Sequence, residues 1–504
     1  KRGDMETKMK RICIYVVYDR QNIIDNYIGC MLRELKTCMD CLVVVYNGQE
    51  ILRGMKLLEE HADYLFFREN IGLDAGAFKD ALCNLVGWDK VDRYDELFLI
   101  NDTFFGPFCP MADIIGEMEK RDVDFWGLSK HGECRNDNMG YFPEHIQTFF
   151  LAIHSRMLHS KFFQRYWKVL PYFKTWEQVV KKHEMLFTDY FAALGFTYDV
   201  LADNDVNNSR NMGNNYTQYL SLPYELMSKR NFPILKRKPL EANILDMQTQ
   251  EEFCQALEYI KNNTNYDVNL IYHHIIRTMN IADLYRNLHL VYIAPPHSVS
   301  MDTKKRIVIA VFAKYSVATN AVSEYLTKMR GPGVEIKIYT GDVGVASAYR
   351  KKGYTCIAYE SGEKWKEVFR EVCRCDYICI ICDMDLSSEE IPSCTRKSVF
   401  FNQWENLLKD YGHVKYIIKC FEEDENLGLL APPNPIFSYY FGKNGANWKK
   451  AFKHVKHIVD ELRIRCCLSL NQQPLAITDS FWIRGEILRN FIEKSNVQEE
   501  FLCF

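Results

Sequence analysis

Through the first part of the chain, short apolar runs alternate with stretches whose apolar positions recur every three to four residues. Residues 12–18, Ile-Cys-Ile-Tyr-Val-Val-Tyr, are rich in β-branched and aromatic side chains and predict a buried strand. Ile23, Ile24, Tyr27, Ile28, Met31, Leu32 and Leu35 follow with the spacing of an amphipathic helix. Residues 42–46 give a second strand, stopped at Asn47-Gly48, and residues 64–67 a third, with a short helix over 50–60 between them. A helix is expected over 75–86. A fourth strand at 97–100 is then cut off by Asn101-Asp102-Thr103.

After residue 300 the same order returns. Strands are expected at 306–312, 334–339, 354–359 and 377–381, with helices at 319–330, at 343–351 and around Trp365 and Phe369. The fourth strand of each half runs straight into acid: Asp102 in one, Asp383-Met384-Asp385 in the other. Strands that are apolar throughout are covered on both faces, which points to parallel β/α winding. The expected architecture is α/β, with tandem domains over 1–224 and 304–504 joined by a helical connector over 225–303. The connector opens with Lys229-Arg230 and Lys236-Arg237-Lys238, around Pro233 and Pro239. That basic cluster reads as a solvated loop, with anionic lipid or a pyrophosphate as the other partner it would suit.

Composition narrows the class. With 47% apolar and 14% aromatic residues, 504 residues can fill large cores, and 26% charged residues is ordinary for a globular chain. A net charge of −3 lacks the basic surplus by which a nucleic-acid binder releases counterions, so no nucleic acid is expected as a partner. Residues 1–10 hold no apolar core for a signal peptide, and nowhere do roughly 18 apolar residues run together to span a membrane. A cytoplasmic protein with reduced thiols is expected despite its 18 cysteines. The chain opens on Lys1 and reads as trimmed, with Met5 a candidate start. Cys379 and Cys382 lie three apart in a strand, so they face opposite ways and cannot readily share a metal; Cys38 and Cys41 have no second pair nearby. Both pairs read as core.

In open α/β sheets, ligands bind beyond the carboxyl ends of the strands, where Asp102, Asp383 and Asp385 are expected. A carboxylate there can hold a divalent cation, Mg or Mn, that bridges the phosphates of a nucleotide sugar and neutralises the departing diphosphate. An acidic loop residue of no special role is the plain alternative. In residues 68–77, Gly72 and Gly76 permit close backbone approach, Asp74 can cap the next helix, and Arg68 offers a planar donor fork to phosphate. An ordinary capped strand–turn–helix accounts for the same residues. Glu184 is a candidate general base, one turn from Val180, Phe187 and Phe191, where partial desolvation raises basicity. A Glu paired at the edge of that stripe is the alternative. Asp124 is a further candidate, and His145 another. Trp126 and Trp482 suit either stacking on a sugar or base, or the core.

A longer series of motifs runs through the chain. It comprises Arg68-Glu-Asn-Ile-Gly-Leu-Asp-Ala-Gly-Ala77, Tyr94-Asp-Glu-Leu97, Asn101-Asp-Thr-Phe-Phe-Gly-Pro107, Asp124-Phe-Trp-Gly-Leu128, His145-Ile-Gln-Thr-Phe-Phe150 and the helix that carries Glu184. The second half continues with Asp383-Met-Asp-Leu-Ser387, Trp404-Glu-Asn-Leu407, Asn426-Leu-Gly-Leu-Leu-Ala-Pro-Pro433 and Asp479-Ser-Phe-Trp-Ile-Arg484. Together these resemble the rhamnan synthesis protein F family. The resemblance implies two GT-A-like domains that transfer L-rhamnose from dTDP-L-rhamnose to a lipid-linked, rhamnose-containing surface polysaccharide. It also implies peripheral contact with the inner face of the membrane. Donor-binding roles pass to Arg68, Asn70, Gly72, Asp74, Gly76, Asn101, Asp102 and Trp126, with Asp383, Asp385 and Trp482 as their second-half candidates. Asn101-Asp102-Thr103 offers one carboxylate where a full Asp-x-Asp offers two, which leaves a cation in the first half short of a ligand.

Other classes compete. The turn after the first strand, Tyr18-Asp-Arg-Gln-Asn22, lacks the glycines of a dinucleotide site. Asp383-Met-Asp-Leu-Ser387 mimics the motif of a sugar-phosphate phosphatase with an aspartyl nucleophile, although that motif follows a first strand and this one a fourth. A glycan-binding pseudo-transferase with one inactive half is the third reading.

Overall fold

The computed structural model describes residues 9–136, 140–202, 222–241, 250–294, 304–358, 374–387, 396–433, 443–472 and 480–494. The helix expected around Trp365 and Phe369 lies outside them, as do Met5 and Asp479. The chain divides into two compact units, residues 1–279 with 286–289 and residues 280–285 with 290–504. No helix among the described residues is long and apolar enough to cross a membrane.

The first unit is built on β1 (Arg11–Val17), β2 (Cys41–Tyr46), β3 (Tyr64–Phe67) and β4 (Glu96–Asn101), which lie in the order β3-β2-β1-β4 and are all parallel. Ile12, Ile14 and Val16 pack with Ala77, Phe78, Phe163, Trp167, Phe187 and Phe191 from helices Leu73–Asp80, Lys161–Val169 and Met185–Ala193. Cys13, Tyr15 and Val17 are just as buried and, by strand alternation, face the other way, so both faces are covered as expected. Between β4 and β6 (Phe125–His131) come β5 (Phe104–Phe105) and a helix, Met111–Met118. The sheet is not wholly parallel. After a hairpin of β7 (Cys134–Asn136) with β8 (Gly140–Phe142) and short β9 (His145–Ile146), β10 (Phe150–His154) returns antiparallel between β4 and β6, and β11 (Tyr198–Ala202) joins β6 in parallel. A return strand needs no crossover helix, so nothing in the local apolar pattern marks its direction.

The second unit repeats that order. β13 (Ile307–Phe312), β14 (Val334–Thr340), β15 (Thr355–Ala358) and β16 (Tyr377–Cys382) lie as β15-β14-β13-β16, all parallel. β18 (Phe481–Arg484) then lies antiparallel beyond β16, and β17 (Leu429–Leu430) beyond that. Cys379 belongs to the cluster on one face of this sheet, and Cys382 packs against the cluster on the other. That pair therefore cannot close on a metal, as the strand spacing required.

Candidate active site at the carboxyl rim of the first sheet

β3 is an edge strand, and the chain leaves it through a tight turn. Arg68 Nε donates to Asp80 Oδ2 (2.8 Å), Nη1 to Asn47 Oδ1 (2.6 Å) and Nη2 to the Ile71 carbonyl (2.6 Å). The donor fork expected to meet a phosphate therefore braces the turn instead, because its partners lie within twelve residues on one side and at the end of β2 on the other. Gly72 has φ +80°, and a Cβ on Gly76 would stand 2.3 Å from the Ile71 carbonyl oxygen, so both glycines answer to backbone geometry. Asp74 does not cap helix Leu73–Asp80, whose cap residue is Gly72. It sits inside the first turn and reaches sideways: Oδ1 accepts from the Ala75 N–H (2.9 Å) and Oδ2 from Asn101 Nδ2 (2.7 Å). Asn70 Oδ1 is buried and has no hydrogen-bond partner among the described residues. A buried acceptor left open is costly unless a ligand completes it.

Asn101 ends β4 and passes the connection on. Its Oδ1 accepts from Thr103 Oγ1 (2.6 Å), which in turn accepts from Lys236 Nζ (2.6 Å). Lys236 arrives from far along the chain on β12 (Leu235–Lys236), which pairs antiparallel with β5 just beyond Asp102. It is 7% exposed, with Nζ 3.9 Å from the centre of the Phe149 ring. Burial pushes its pKa down to about 7, although the charges of Glu184 and Asp74 pull the other way. Asp102 is 5% exposed; its Oδ2 accepts from the Tyr18 N–H (3.3 Å) and lies 3.9 Å from Arg237 Nη1. Burial pushes Asp102 up to about 6 against the pull of Arg237. The basic cluster read as a solvated loop is thus partly built into the rim, because β-pairing with β5 carries it inward.

Glu184 closes a π-wound turn, Val180–Glu184, and helix Met185–Ala193 follows it. Such wide turns are frequent at functional sites because they turn one side chain out of register. Its Oε2 accepts from Thr148 Oγ1 (3.0 Å), its Oε1 lies 3.9 Å from His145 Nε2, and its side chain is 20% exposed. Burial raises its pKa, against the hydrogen bond from Thr148 and the charges of Lys236 and Lys238. Thr148 stands just before β10, whose first residue pairs with Ile100, so Glu184 faces the same rim as Asp74 and Asn101. His145 donates from Nδ1 to the Pro143 carbonyl (2.7 Å) and stacks on His131, and burial holds its pKa below the usual range.

Behind the rim, helix Asn269–Thr278 locks Arg237 in place. Arg237 Nη1 donates to Tyr27 Oη (2.6 Å) and to His274 Nε2 (3.3 Å). His274 Nδ1 donates to Asp25 Oδ2 (2.8 Å), which fixes it as the neutral tautomer with the proton on Nδ1. Arg277 bridges Asp19 and Asp25 with hydrogen bonds of 2.6 Å each. The stretch expected to connect two domains therefore belongs, through residue 279, to the first unit and furnishes part of its site.

Residues 42–339 match the model of the family described as rhamnan synthesis protein F, more than half of the chain. The chain belongs to the rhamnan synthesis protein F family. Every rim residue from Asp74 to Arg277 lies within the matched span. One relative, the uncharacterized protein y4gN of Sinorhizobium fredii, is 24% identical over 157 residues, 31% of this chain. The aligned part spans only 39% of that relative's length. Among solved structures, the glycosyltransferase GlyE of Streptococcus pneumoniae TIGR4 is 10% identical, covering 79% of this chain and 90% of its own, at a TM-score of 0.23. The WbbM bifunctional glycosyltransferase is 12% identical, covering 53% of this chain and 52% of its own, at 0.28. Likenesses at such scores decide nothing about fold or activity.

Several residues of the family's motifs stand away from the rim. Because β10 is antiparallel to both β4 and β6, those two run the same way, and Asp124, just before β6, lies at the amino rim opposite Asp102. There Asp124 Oδ2 accepts from the Thr197 N–H (2.8 Å), from Thr197 Oγ1 (3.1 Å) and from Arg156 Nη1, a structural clamp rather than a base. Trp126 is buried mid-strand against Phe98 and Phe150, with no face open to a sugar. Trp482 is buried too, and its Nε1 donates to the Leu407 carbonyl (3.0 Å).

The acids expected to hold a cation fit one poorly. Asp383 takes the backbone N–H of Lys314 on one oxygen (2.8 Å) and that of Tyr315 on the other (2.9 Å). Asp385 Oδ1 accepts from Ser387 N–H and Oγ. Asp102 already faces Arg237, and no group of three or more His, Cys, Asp or Glu suited to a metal occurs among the described residues. A hard cation prefers several oxygen ligands, and at Asp102 a guanidinium stands where it would sit.

Proposed function

We propose that this chain is a glycosyltransferase that moves L-rhamnose from dTDP-L-rhamnose to a lipid-linked, rhamnose-containing glycan by a single displacement with inversion. The first unit, GT-A-like in this reading, carries the chemistry. The observation that supports it is the meeting, at one sheet rim of a rhamnan synthesis protein F chain, of a desolvated carboxylate and a buried lysine. Glu184 takes the proton of the acceptor hydroxyl as its oxygen attacks the anomeric carbon. The bond from that carbon to the diphosphate breaks, and the charge left on dTDP falls to Lys236 and Arg237. These take the part that a divalent cation at Asp102 was expected to play. Asn70, with its open acceptor, and the Gly72–Gly76 turn hold the donor, while the Asp74–Asn101–Thr103 chain keeps Lys236 in position. Peripheral contact with the inner face of the membrane belongs to this reading through its acceptor.

The phosphatase reading needs Asp383 as a free nucleophile, whereas both its oxygens receive backbone N–H groups. The deciding experiment incubates the full chain with dTDP-L-rhamnose, then with other nucleotide sugars, and a lipid-linked rhamnoside acceptor. Rhamnose transfer that is lost in Glu184→Gln is expected. Turnover of a different donor alone would remove the rhamnosyl assignment, and no turnover of any nucleotide sugar would remove the transferase.

A further inference from the structure

We propose that Trp176 is the core of an acceptor subsite that binds a saccharide ring beyond the one that reacts; this rests on the transferase reading above. Trp176 opens helix Trp176–Val179, whose cap Thr175 accepts from the Gln178 N–H. Its side chain is 50% exposed. A lone exposed aromatic is ordinary, but this one has company. Tyr172, four residues earlier, is exposed as well, and its ring lies against Gly72 and Gly76 of the donor turn, where Ile71 is also exposed. Helix Trp176–Val179 itself packs on helix Leu73–Asp80. Lys238 Nζ stands over the Trp176 ring, 4.0 Å from its centre. Lys238 belongs to the same segment as Lys236 and Arg237, and its charge is felt by Glu184.

The indole is therefore held between the two elements that build the rim, one face against an ammonium group and half its surface in water. An aromatic face in that setting suits the apolar C–H face of a pyranose ring. Continuity with the rim argues for the acceptor over any unrelated partner. Distance then says which ring. Eight residues of continuous helical winding separate Trp176 from Glu184, which sets them about 10–12 Å apart along the axis, the π-wound part rising a little less per residue. That spacing is greater than one pyranose ring, so the sugar stacked on Trp176 precedes the one whose hydroxyl reacts. Longer acceptors gain from this contact, and single-sugar acceptors do not reach it.

The test compares synthetic rhamnosides of one and of three sugars, on the same lipid aglycone, with the full chain and dTDP-L-rhamnose. The wild type is expected to show a lower KM for the three-sugar acceptor. In Trp176→Ala that advantage disappears, with the three-sugar KM raised about tenfold, and Trp176→Phe restores part of it. Titration calorimetry of the three-sugar compound alone reads the same loss without turnover. Equal acceptor-length preference in wild type and Trp176→Ala, with transfer intact, would overturn the subsite and leave the transferase standing. A wild type that turns over no nucleotide sugar and binds neither acceptor would overturn both.

Discussion

Raising the pH from 6 to 8 should strip the proton from Lys236 and weaken the binding of dTDP-L-rhamnose about tenfold. The amine is buried, and its pKa is pushed down to about 7, so in the free protein it is half charged at neutrality. A bound diphosphate needs it charged. Above its pKa, the proton must be taken up at binding, at a cost of about 1.4 kcal/mol per pH unit, which is tenfold in Kd. Below pH 6 the amine is already protonated and the dependence flattens. The sign is that of a base with a lowered pKa whose charged form the ligand prefers: affinity is nearly full by pH 6 and falls as pH rises through 7. The donor is a suitable probe because its diphosphate is esterified at both ends and does not titrate in this window. Calorimetry in two buffers of different ionisation enthalpy should record an uptake of about half a proton at pH 7, approaching one at pH 8.

The same burial costs stability. Holding an amine of ordinary pKa 10.5 at about 7 opposes folding by roughly 3–5 kcal/mol at neutral pH, a penalty that fades as pH climbs toward the unfolded value. Lys236→Met should therefore melt higher than wild type while binding the donor more weakly and with little dependence on pH. Whatever dependence remains belongs to Asp102, pushed up to about 6, and to Glu184, whose pKa burial also raises; both act with the same sign. Donor affinity that is flat from pH 6 to 8.5, or a Lys236→Met variant that keeps the wild-type slope, would refute the reasoning.

Three other outcomes are expected. Glu184→Gln should lower kcat by about 10²–10⁴-fold and abolish the acid limb of its pH profile, with donor Kd within a few-fold of wild type; a kcat near wild type would clear Glu184 of the base role. Chelation with EDTA should leave most of the transferase activity in place if, as proposed, the departing diphosphate is met by Lys236 and Arg237; activity lost to EDTA and restored by Mg or Mn would reinstate the cation. Asp124→Asn should cost about 1–3 kcal/mol of stability, read by denaturant unfolding, through weaker bonds to Arg156 and Thr197. Its turnover per folded molecule should match wild type, and a selective loss of kcat would return Asp124 to the site.

The strands of both units were legible because an apolar run is a local signal, and so was the placing of acid at their carboxyl ends. The desolvated setting of Glu184 was legible as well, through the apolar stripe around it. What escaped depends on pairing between distant segments. Lys236 meets Thr103 across 133 residues, and Arg277 meets Asp19 across 258, so no local pattern marks either as buried. Charged residues between two prolines look like a loop until β5 claims them. That Asp124 lies at the amino rim could not be read for a related reason: the antiparallel return of β10 sets the direction of β6, and nothing in residues 124–131 records it.

The acid after the fourth strand shows how a fold signal can pass for a chemical one. In the first unit Asp102 accepts from the N–H that follows β1, and in the second Asp383 accepts from two N–H groups that follow β13. The central strand and its neighbour end side by side, and a carboxylate at that point satisfies backbone donors that the sheet leaves open. That requirement recurs wherever this strand order recurs, so matched acids in two halves testify to matched topology before they testify to matched catalysis. What distinguishes the first rim is the material laid over it: β12 with Lys236 and Arg237, the π-wound turn with Glu184, and helix Asn269–Thr278 holding Arg237 through His274. The chemistry of this unit should accordingly follow those additions. Substitutions in them should change turnover and donor affinity, whereas Asp383→Asn should show itself first as lost stability of the second unit, of about 1–3 kcal/mol.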